Sequence, residues 1–203
     1  MREYEDELNK KGIKLIAGID EVGRGPLIGP VVVAAVILPE GYTNSEINDS
    51  KKLTEKKREK LYDIIMKDAL AVSIGMSSEK EIDEINILEA TKKAMKEALN
   101  GLKIKPEHVL IDAVKLDIDI PSTSIIKGDA KSISIAAASI IAKVYRDRML
   151  IEMDKEYPMY NLAKNKGYGT KAHVEALYKY GPCKYHRLSF EPVKSIHYSL
   201  VKE

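Results

Sequence analysis

The sequence predicts an α/β domain whose functional site lies at an edge of its sheet. Residues 14–20 and 30–38 are largely apolar, and the second run is β-branched and uninterrupted, which is typical of buried strands. Residues 132–156 are apolar nearly all round in their first half and precede Pro158, so they predict a long buried helix. Strands mixed with helices in this way favour helices packed against one sheet.

Three further helices are predicted. A short charged helix covers residues 3–11, and a second follows a polar loop in which Ser50 or Thr54 caps the helix. A third helical region begins at Ser78, which has the capping-box spacing to Glu81, and ends at Gly101. Its apolar stripe is predicted to lie in the core and consists of Ile82, Ile85, Leu88, Met95 and Leu99.

Two further strands are predicted, at residues 69–76 and 109–112, and the second ends in a carboxylate as the first strand of the chain does. Residues 116–120 alternate between apolar and acidic side chains, so Asp117 and Asp119 should share the solvent-facing side of an extended segment. We expect one domain over residues 1–203, in which residues 158–203 form a C-terminal helical extension that flanks the site and binds substrate.

Composition restricts the class of protein. With 203 residues, 44% hydrophobic and 32% charged, the chain fits a soluble globular domain, and no apolar stretch reaches membrane-spanning length. The charged N-terminal residues do not resemble a secretory signal, so we expect a cytoplasmic monomer with no membrane partner. A single cysteine, Cys183, and four scattered histidines argue against a zinc site. Any bound metal should therefore be a hard ion held by carboxylates.

The basic charge is concentrated near the C-terminus. Residues 164–203 contain eight lysines and arginines against three acidic residues, whereas the whole chain carries only +2. Six tyrosines lie within this stretch or just before it, at positions 160, 168, 178, 180, 185 and 198. Basic groups interleaved with aromatic rings suit a nucleic-acid groove. An ordinary solvated helical surface with packing tyrosines explains the pattern equally well.

Four acidic residues are candidates for a common site: Asp20, Glu21, Asp112 and Asp129. Brought together without cations they would repel and raise one another's pKa, and divalent cations remove that repulsion. Two such ions about 3.5–4 Å apart are typical of in-line displacement at phosphate. Neighbours in a regular strand point to opposite faces. Either one of Asp20 and Glu21 uses its side chain and the other its carbonyl, or the strand breaks there.

The acidic pair is followed by a glycine-flanked arginine. Gly23 and Gly25 leave the backbone around Arg24 uncovered, so its amides and guanidinium can meet a phosphate. A charged turn after a strand is the alternative, and it is the weaker explanation once the pair is joined to this loop. Further along the chain, Ser50 and Lys51 are candidates for contact with a phosphate backbone.

Taken in order, these motifs resemble the ribonuclease HII family over nearly the whole chain. The matching segments are residues 18–26, 49–51, 111–112, 127–130, 137–143, 167–170 and 186–187. The resemblance implies a ribonuclease H-like mixed sheet flanked by helices. It also implies two-metal endonucleolytic cleavage of the RNA strand of RNA/DNA hybrids, with Mg²⁺ or Mn²⁺, and a role in DNA replication and repair. Incision 5′ of ribonucleotides embedded in duplex DNA, leaving 3′-hydroxyl and 5′-phosphate ends, is implied as well.

The resemblance assigns roles by position. It implies that Asp20, Glu21, Asp112 and Asp129 are catalytic metal ligands. The substrate contacts it implies or permits are Gly23, Arg24, Gly25, Ser50, Lys51, Tyr168 and Arg187, with the glycine loop at the 2′-hydroxyl and Tyr168 stacked on the sugar of the following deoxynucleotide. His186 is either a strand contact or a packing residue. We expect structural roles for His108, His173 and His197, structure or backbone contact for Lys143 and Arg146, and a surface ion pair for Asp147.

Two other functions are compatible with parts of this pattern. A catalytically silent hybrid-binding module would lack one of the acids, whereas all four are present. A two-metal DNA resolvase or exonuclease would share the acids but not the pairing of the Gly23-Arg24-Gly25 motif with Tyr168. The related ribonuclease HIII family looks less similar, because it carries a different residue where Arg24 stands and has an additional N-terminal binding domain.

Overall fold

A computed structural model describes residues 1–201 and contains one five-stranded sheet with strand order β3-β2-β1-β4-β5. The strands are β1 (Ile16–Val22), β2 (Val31–Ile37), β3 (Ala71–Ser77), β4 (His108–Asp112) and β5 (Ser122–Ile125). Strand β2 is antiparallel to both of its neighbours, β1 and β3, whereas β1, β4 and β5 run parallel to one another. The sheet is therefore mixed, as the family resemblance predicted.

Eight α-helices surround the sheet within the described residues. They are α1 (Glu3–Lys10), α2 (Glu55–Asp68), α3 (Glu79–Ile85), α4 (Ile87–Asn100), α5 (Ile133–Glu156), α6 (Leu162–Asn165), α7 (Lys171–Tyr180) and α8 (Val193–Val201). Short 3-10 turns cover Ser50–Lys52, Gly128–Ala130 and Pro158–Tyr160. Thr54 caps α2 and Ser78 forms the predicted capping box with Glu81. Within the described part of the chain, no helix is long and apolar enough to cross a membrane.

Helices α5 and α4 cover opposite faces of the sheet. Along β2, Val32, Ala34 and Val36 pack in the cluster that contains the buried half of α5, whereas the alternate residues pack against α4. A strand covered on both faces needs apolar side chains at every position, which explains the continuous run at residues 30–38. Gly18 lets β1 approach α5 closely, because an added Cβ there would lie 2.1 Å from the carbonyl carbon of Ser134.

The helical region after Ser78 differs from its prediction. Asn86 adopts a φ of 69° and ends α3, and its side chain caps α4 by accepting from the backbone N–H groups of Leu88 and Glu89. This break changes the helix direction, so one apolar stripe cannot continue across it. The prediction of a core position was wrong for Ile85 and Leu88, which are 39% and 41% exposed, although Ile82, Met95 and Leu99 are buried.

The observed strands also differ from the predicted ones. Strand β1 continues to Val22 and so contains the acidic pair, and β5 was missed because its Ser-Thr-Ser sequence lacks an apolar pattern. Residues 116–120 form no strand in the structure as described for residues 1–201. The alternation still has the predicted consequence, because Asp117 and Asp119 are exposed while Leu116 is buried.

The helices of the C-terminal region pack against the connection between β1 and β2. Leu27 and Ile28 of that connection share a buried cluster with Leu150 of α5, Leu177 of α7 and Val193 of α8. This packing brings α7 and α8 to the same edge of the sheet as the end of β1.

Candidate active site

Three acidic side chains converge at one edge of the sheet. Asp20, Asp112 and Asp129 each offer a carboxylate oxygen, and these atoms lie within 4.8 Å of one another. In the parallel pairing of β1 and β4, Ile19 lies opposite Ile111, so the next residue of each strand brings its carboxylate to the same place. Asp129 reaches the cluster from the turn that precedes α5.

A glycine allows that turn to close on β4. The backbone N–H of Gly128 donates to Asp112 Oδ1 at 2.6 Å. A Cβ on Gly128 would lie 2.6 Å from Ile135 Cδ1 and 3.3 Å from Asp112 Oδ1. The absence of a side chain therefore lets Asp129 come close to Asp112.

The fourth predicted acid, Glu21, lies beside this cluster rather than within it. Because β1 does not break at the acidic pair, Asp20 and its neighbour remain successive residues of a strand. One oxygen of Glu21 lies 3.6 Å from Arg24 Nη1, and the other, Oε2, is buried without a hydrogen-bond partner in the described structure. An unpartnered buried carboxylate oxygen is costly and is suited to accept a cation.

The electrostatics of the cluster also favour a cation. Burial raises the pKa of Asp20 well above its usual value, and the charges of Glu21 and Asp112 raise it further. Burial likewise raises the pKa of Asp129, with added repulsion from Asp49 and Asp112. Oxygen donors of this kind are the ligands that Mg²⁺ and Mn²⁺ prefer, so the residues fit a hard divalent metal.

The segment 49–51 forms one wall of the site. Ser50 is buried, and its hydroxyl lies 2.8 Å from that of Ser139 on α5, a hydroxyl that acts to lower the pKa of Asp20. Burial acts to lower the pKa of Lys51, but the negative charges of Asp129 and Asp20 outweigh it, and the pKa is raised. Lys51 thus stays a cation beside the acids, whereas Ser50 is occupied in a hydrogen-bond network.

The predicted glycine loop, residues 23–29, lies next to the acids. Gly23 has a φ of 93°, and the side chain of Arg24 is 41% exposed. The ring of Tyr168 is half-exposed, and its Cε1 would lie 3.4 Å from a Cβ placed on Gly25. The structure therefore brings the loop and Tyr168 into contact, although more than 140 residues separate them in the chain.

Arg187 has no exposed surface and lies behind the loop. Its Nη1 donates to the carbonyl of Arg24 and its Nε to the carbonyl of Gly29, each at 2.9 Å. This guanidinium, for which the sequence suggested a strand contact, thus donates to backbone carbonyls of the loop. His186 is also buried, which agrees with the packing alternative.

Asp147 corrects another expectation. It was predicted to form a surface ion pair, but it is buried and pairs with Lys143 at 2.7 Å. The reason is that α5 remains covered past its apolar half, where the C-terminal helices pack on it. Sequence reasoning gave no role to Ser139, although this residue lies within the matching segment at residues 137–143.

Comparisons with known proteins agree with this geometry. The ribonuclease HII family model matches residues 17–193. A ribonuclease HII from Acetivibrio thermocellus is 64% identical over 188 residues, which span 92% of this chain and 73% of the relative.

Two solved structures are also similar to this chain. The ribonuclease H2 of Pyrococcus horikoshii is 31% identical with a TM-score of 0.75, over 93% of this chain and 99% of that one. The ribonuclease HII of Archaeoglobus fulgidus, solved in complex with PCNA, is 27% identical with a TM-score of 0.73, over 87% and 95% of the two chains. With the mixed sheet, the acid cluster and these similarities together, the chain belongs to the ribonuclease HII family of metal-dependent endoribonucleases.

Proposed function

We propose that the protein cleaves the RNA strand of RNA/DNA hybrids and cuts on the 5′ side of ribonucleotides embedded in duplex DNA, leaving 3′-hydroxyl and 5′-phosphate ends. The observation that carries the proposal is the convergence of Asp20, Asp112 and Asp129 beside the glycine loop and Tyr168. The acids supply a metal site, and the loop with its tyrosine supplies groups that can distinguish ribose from deoxyribose.

The three converging aspartates and Glu21 are proposed to hold two divalent ions, Mg²⁺ or Mn²⁺. When bound, such ions activate water and stabilise the leaving 3′-oxygen. Asp112 accepts from the N–H of Gly128 and Asp20 accepts from the N–H of Glu21, and these bonds fix the two carboxylates. The free oxygen of Glu21 is available to a cation because Arg24 engages only the other one.

Substrate recognition is assigned to groups with exposed polar or aromatic surface. The backbone of Gly23 and Gly25 and the half-exposed guanidinium of Arg24 are proposed to meet the 2′-hydroxyl and adjacent phosphates. Tyr168 is proposed to stack on the sugar of the next deoxynucleotide, and Lys51 to neutralise a phosphate near the acids.

Two predicted contacts receive supporting roles because they are buried. Ser50 holds the loop at residues 49–51 against α5 through Ser139, and Arg187 holds the glycine loop from behind. The C-terminal region, including Tyr168, is proposed to be the substrate-binding part of a single catalytic domain. The enzyme is proposed to act as a monomer.

The decisive experiment uses a DNA duplex that carries one ribonucleotide and an identical all-DNA duplex, each with Mg²⁺ and with chelator. We expect a metal-dependent cut on the 5′ side of the ribonucleotide and no cut in the all-DNA duplex. Cleavage of the all-DNA duplex would instead support a resolvase or exonuclease. Binding of a hybrid without any cleavage would support a silent binding module.

A further inference from the structure

Four buried polar side chains connect the glycine loop to Tyr168 without reaching the surface themselves. They are Arg146, Arg187, His173 and His186, none of them more than 2% exposed. Neither guanidinium has a carboxylate within 4.0 Å among residues 1–201, so backbone carbonyls take the place of an ion-pair partner. Burying a cation whose only partners are carbonyls costs free energy. We therefore ask which groups these two side chains hold in place.

Arg146 bridges the loop and the segment before Tyr168. Its Nε donates to the carbonyl of Pro30 at 3.0 Å, its Nη2 to that of Ile28 at 2.9 Å, and its Nη1 to that of Lys166 at 3.0 Å. Gly23 makes room for this side chain, because a Cβ there would lie 2.3 Å from Arg146 Nε.

The glycine loop and the Tyr168 segment are also joined through main-chain hydrogen bonds. The N–H of Leu27 donates to the carbonyl of Gly167 at 2.8 Å, and the N–H of Arg187 donates to the carbonyl of Leu27 at 2.9 Å. The side chain of Arg187 reaches the carbonyls of Gly23, Arg24 and Gly29 in the same loop.

The two histidines fix the carbonyl of Tyr168 from the other side. His173 Nδ1 lies 2.9 Å from that carbonyl oxygen, which can only accept, so Nδ1 carries the proton. His173 Nε2 then accepts from His186 Nε2 at 3.0 Å, and His186 Nδ1 accepts from the N–H of Cys183 at 3.0 Å. One arrangement of neutral tautomers satisfies every bond. Burial also lowers the pKa of both rings, that of His186 to about 3, so the pair stays neutral.

We propose that His173 and His186, together with Arg146 and Arg187, are positioning residues that hold Tyr168 against the glycine loop, and that they thereby set the preference for a ribonucleotide followed by a deoxynucleotide. This inference rests on the proposed function, since it assigns Tyr168 to the sugar of that deoxynucleotide. A long RNA strand offers no such sugar, so loss of this positioning should lower cleavage at single ribonucleotides more than cleavage of long hybrids.

Two substitutions of His173 separate its hydrogen bonds. The amide nitrogen of asparagine stands near the position of Nδ1, so His173→Asn keeps a donor for the Tyr168 carbonyl. The longer glutamine places its amide near the position of Nε2, so His173→Gln loses that donor. Both variants remove the same ring from its packing against Tyr160, which lies 5.8 Å away between ring centroids.

The readout is the ratio of single-turnover rates on a one-ribonucleotide duplex and on a long hybrid, at saturating Mg²⁺. We expect His173→Gln to lower this ratio about fivefold and His173→Asn to leave it within about twofold, since a positioning hydrogen bond is worth roughly a factor of five. In a Tyr168→Ala background, His173→Gln should lower the ratio no further.

Three results would overturn the inference: an unchanged ratio in His173→Gln, equal losses in both variants, or additive losses with Tyr168→Ala. If His173→Gln does not fold, Arg146→Lys serves the same purpose, because one ammonium cannot reach the carbonyls of Pro30, Ile28 and Lys166 together. An unchanged rate ratio in Arg146→Lys would equally contradict the inference. A native enzyme that leaves the one-ribonucleotide duplex whole would refute the proposed function instead, before any variant is compared.

Discussion

Replacing Gly18 by alanine is expected to push β1 and α5 apart and so to damage both stability and the acid cluster. The new Cβ would lie 2.1 Å from the carbonyl carbon and 2.3 Å from the carbonyl oxygen of Ser134, and 2.4 Å from the backbone nitrogen of Ile135. These atoms belong to the main chain of the first turn of α5. Unlike the tip of a side chain, they cannot rotate out of the way.

The magnitude follows from the distances. Carbon atoms in contact prefer a separation of about 3.5–4.0 Å, so the strand and helix must separate by roughly 1.5 Å. Overpacking of a core typically costs about 1–3 kcal/mol, and a rigid neighbour places this variant near 3 kcal/mol. Asp20 lies two residues beyond Gly18 on β1, and Asp129 precedes α5, so the same separation pulls their carboxylates apart. A misplacement of about 1 Å costs on the order of 100-fold in rate.

Urea unfolding and single-turnover cleavage at saturating Mg²⁺, expressed per folded molecule, measure the two effects. Gly75→Ala is the matched control: its Cβ would lie 2.0 Å from the carbonyl oxygen of Ala94, on the α4 face away from the acids. It should lose similar stability and keep its rate within about twofold.

A second control tests backbone strain without crowding. Gly41 has a φ of 74° and nothing within 4 Å of its added Cβ, so Gly41→Ala should cost about 1 kcal/mol and leave the rate unchanged. A Gly18→Ala enzyme within about 0.5 kcal/mol and twofold of the native protein would refute the steric reasoning. Equal rate losses in Gly18→Ala and Gly75→Ala would show that the damage is not local to the acid cluster.

Three further predictions concern the site itself. Asp112→Asn keeps an acceptor for the N–H of Gly128, so the free energy of unfolding should change by no more than about 1 kcal/mol. The single-turnover rate should fall more than about 100-fold, because a metal ligand is lost. Near-normal turnover would show that Asp112 is not part of the site. Tyr168→Ala should lower cleavage at single ribonucleotides about tenfold more than cleavage of long hybrids, with little change in melting temperature, because the ring is half-exposed; an unchanged preference would count against stacking. Asp20 and Asp129 have raised pKa values, so without metal they contribute to stability at acid pH. That contribution is lost as the pH rises through the raised pKa values. Stabilisation by Mg²⁺ should therefore grow over the same pH range. At about 100 times its dissociation constant Mg²⁺ should add roughly 2.7 kcal/mol, and a melting temperature that does not respond to Mg²⁺ at any pH would exclude binding at these residues.

Local sequence patterns predicted most of the individual elements correctly. The apolar run at residues 30–38 became a strand buried on both faces, and Ser132 caps the long helix that ends before Pro158. Ser78 and Glu81 form their capping box. Each of these features depends on interactions among residues close together in the chain, which a periodicity or a cap spacing records directly.

Patterns were less informative where one residue or a distant element decided the outcome. Asn86 divides one predicted helical region into two, and so exposes Ile85 and Leu88 despite their helical spacing. Strand β5 consists of three small polar residues and Ile125, and it is a strand because β4 offers it backbone partners. Asp147 is buried because other segments cover the second half of α5, which its neighbours in sequence do not indicate.

The sequence by itself determined which residues could perform the chemistry: the acids, the glycine-flanked arginine and the tyrosine that together resemble one family. Tertiary structure decided which of them meet. The parallel pairing of β1 with β4 brings Asp20 to Asp112, whereas Glu21 lies beside the cluster, and Arg187 lies beneath the loop rather than on its surface. Such outcomes depend on strand register and on backbone carbonyls from remote segments, and neither leaves a signal in the local order of residues.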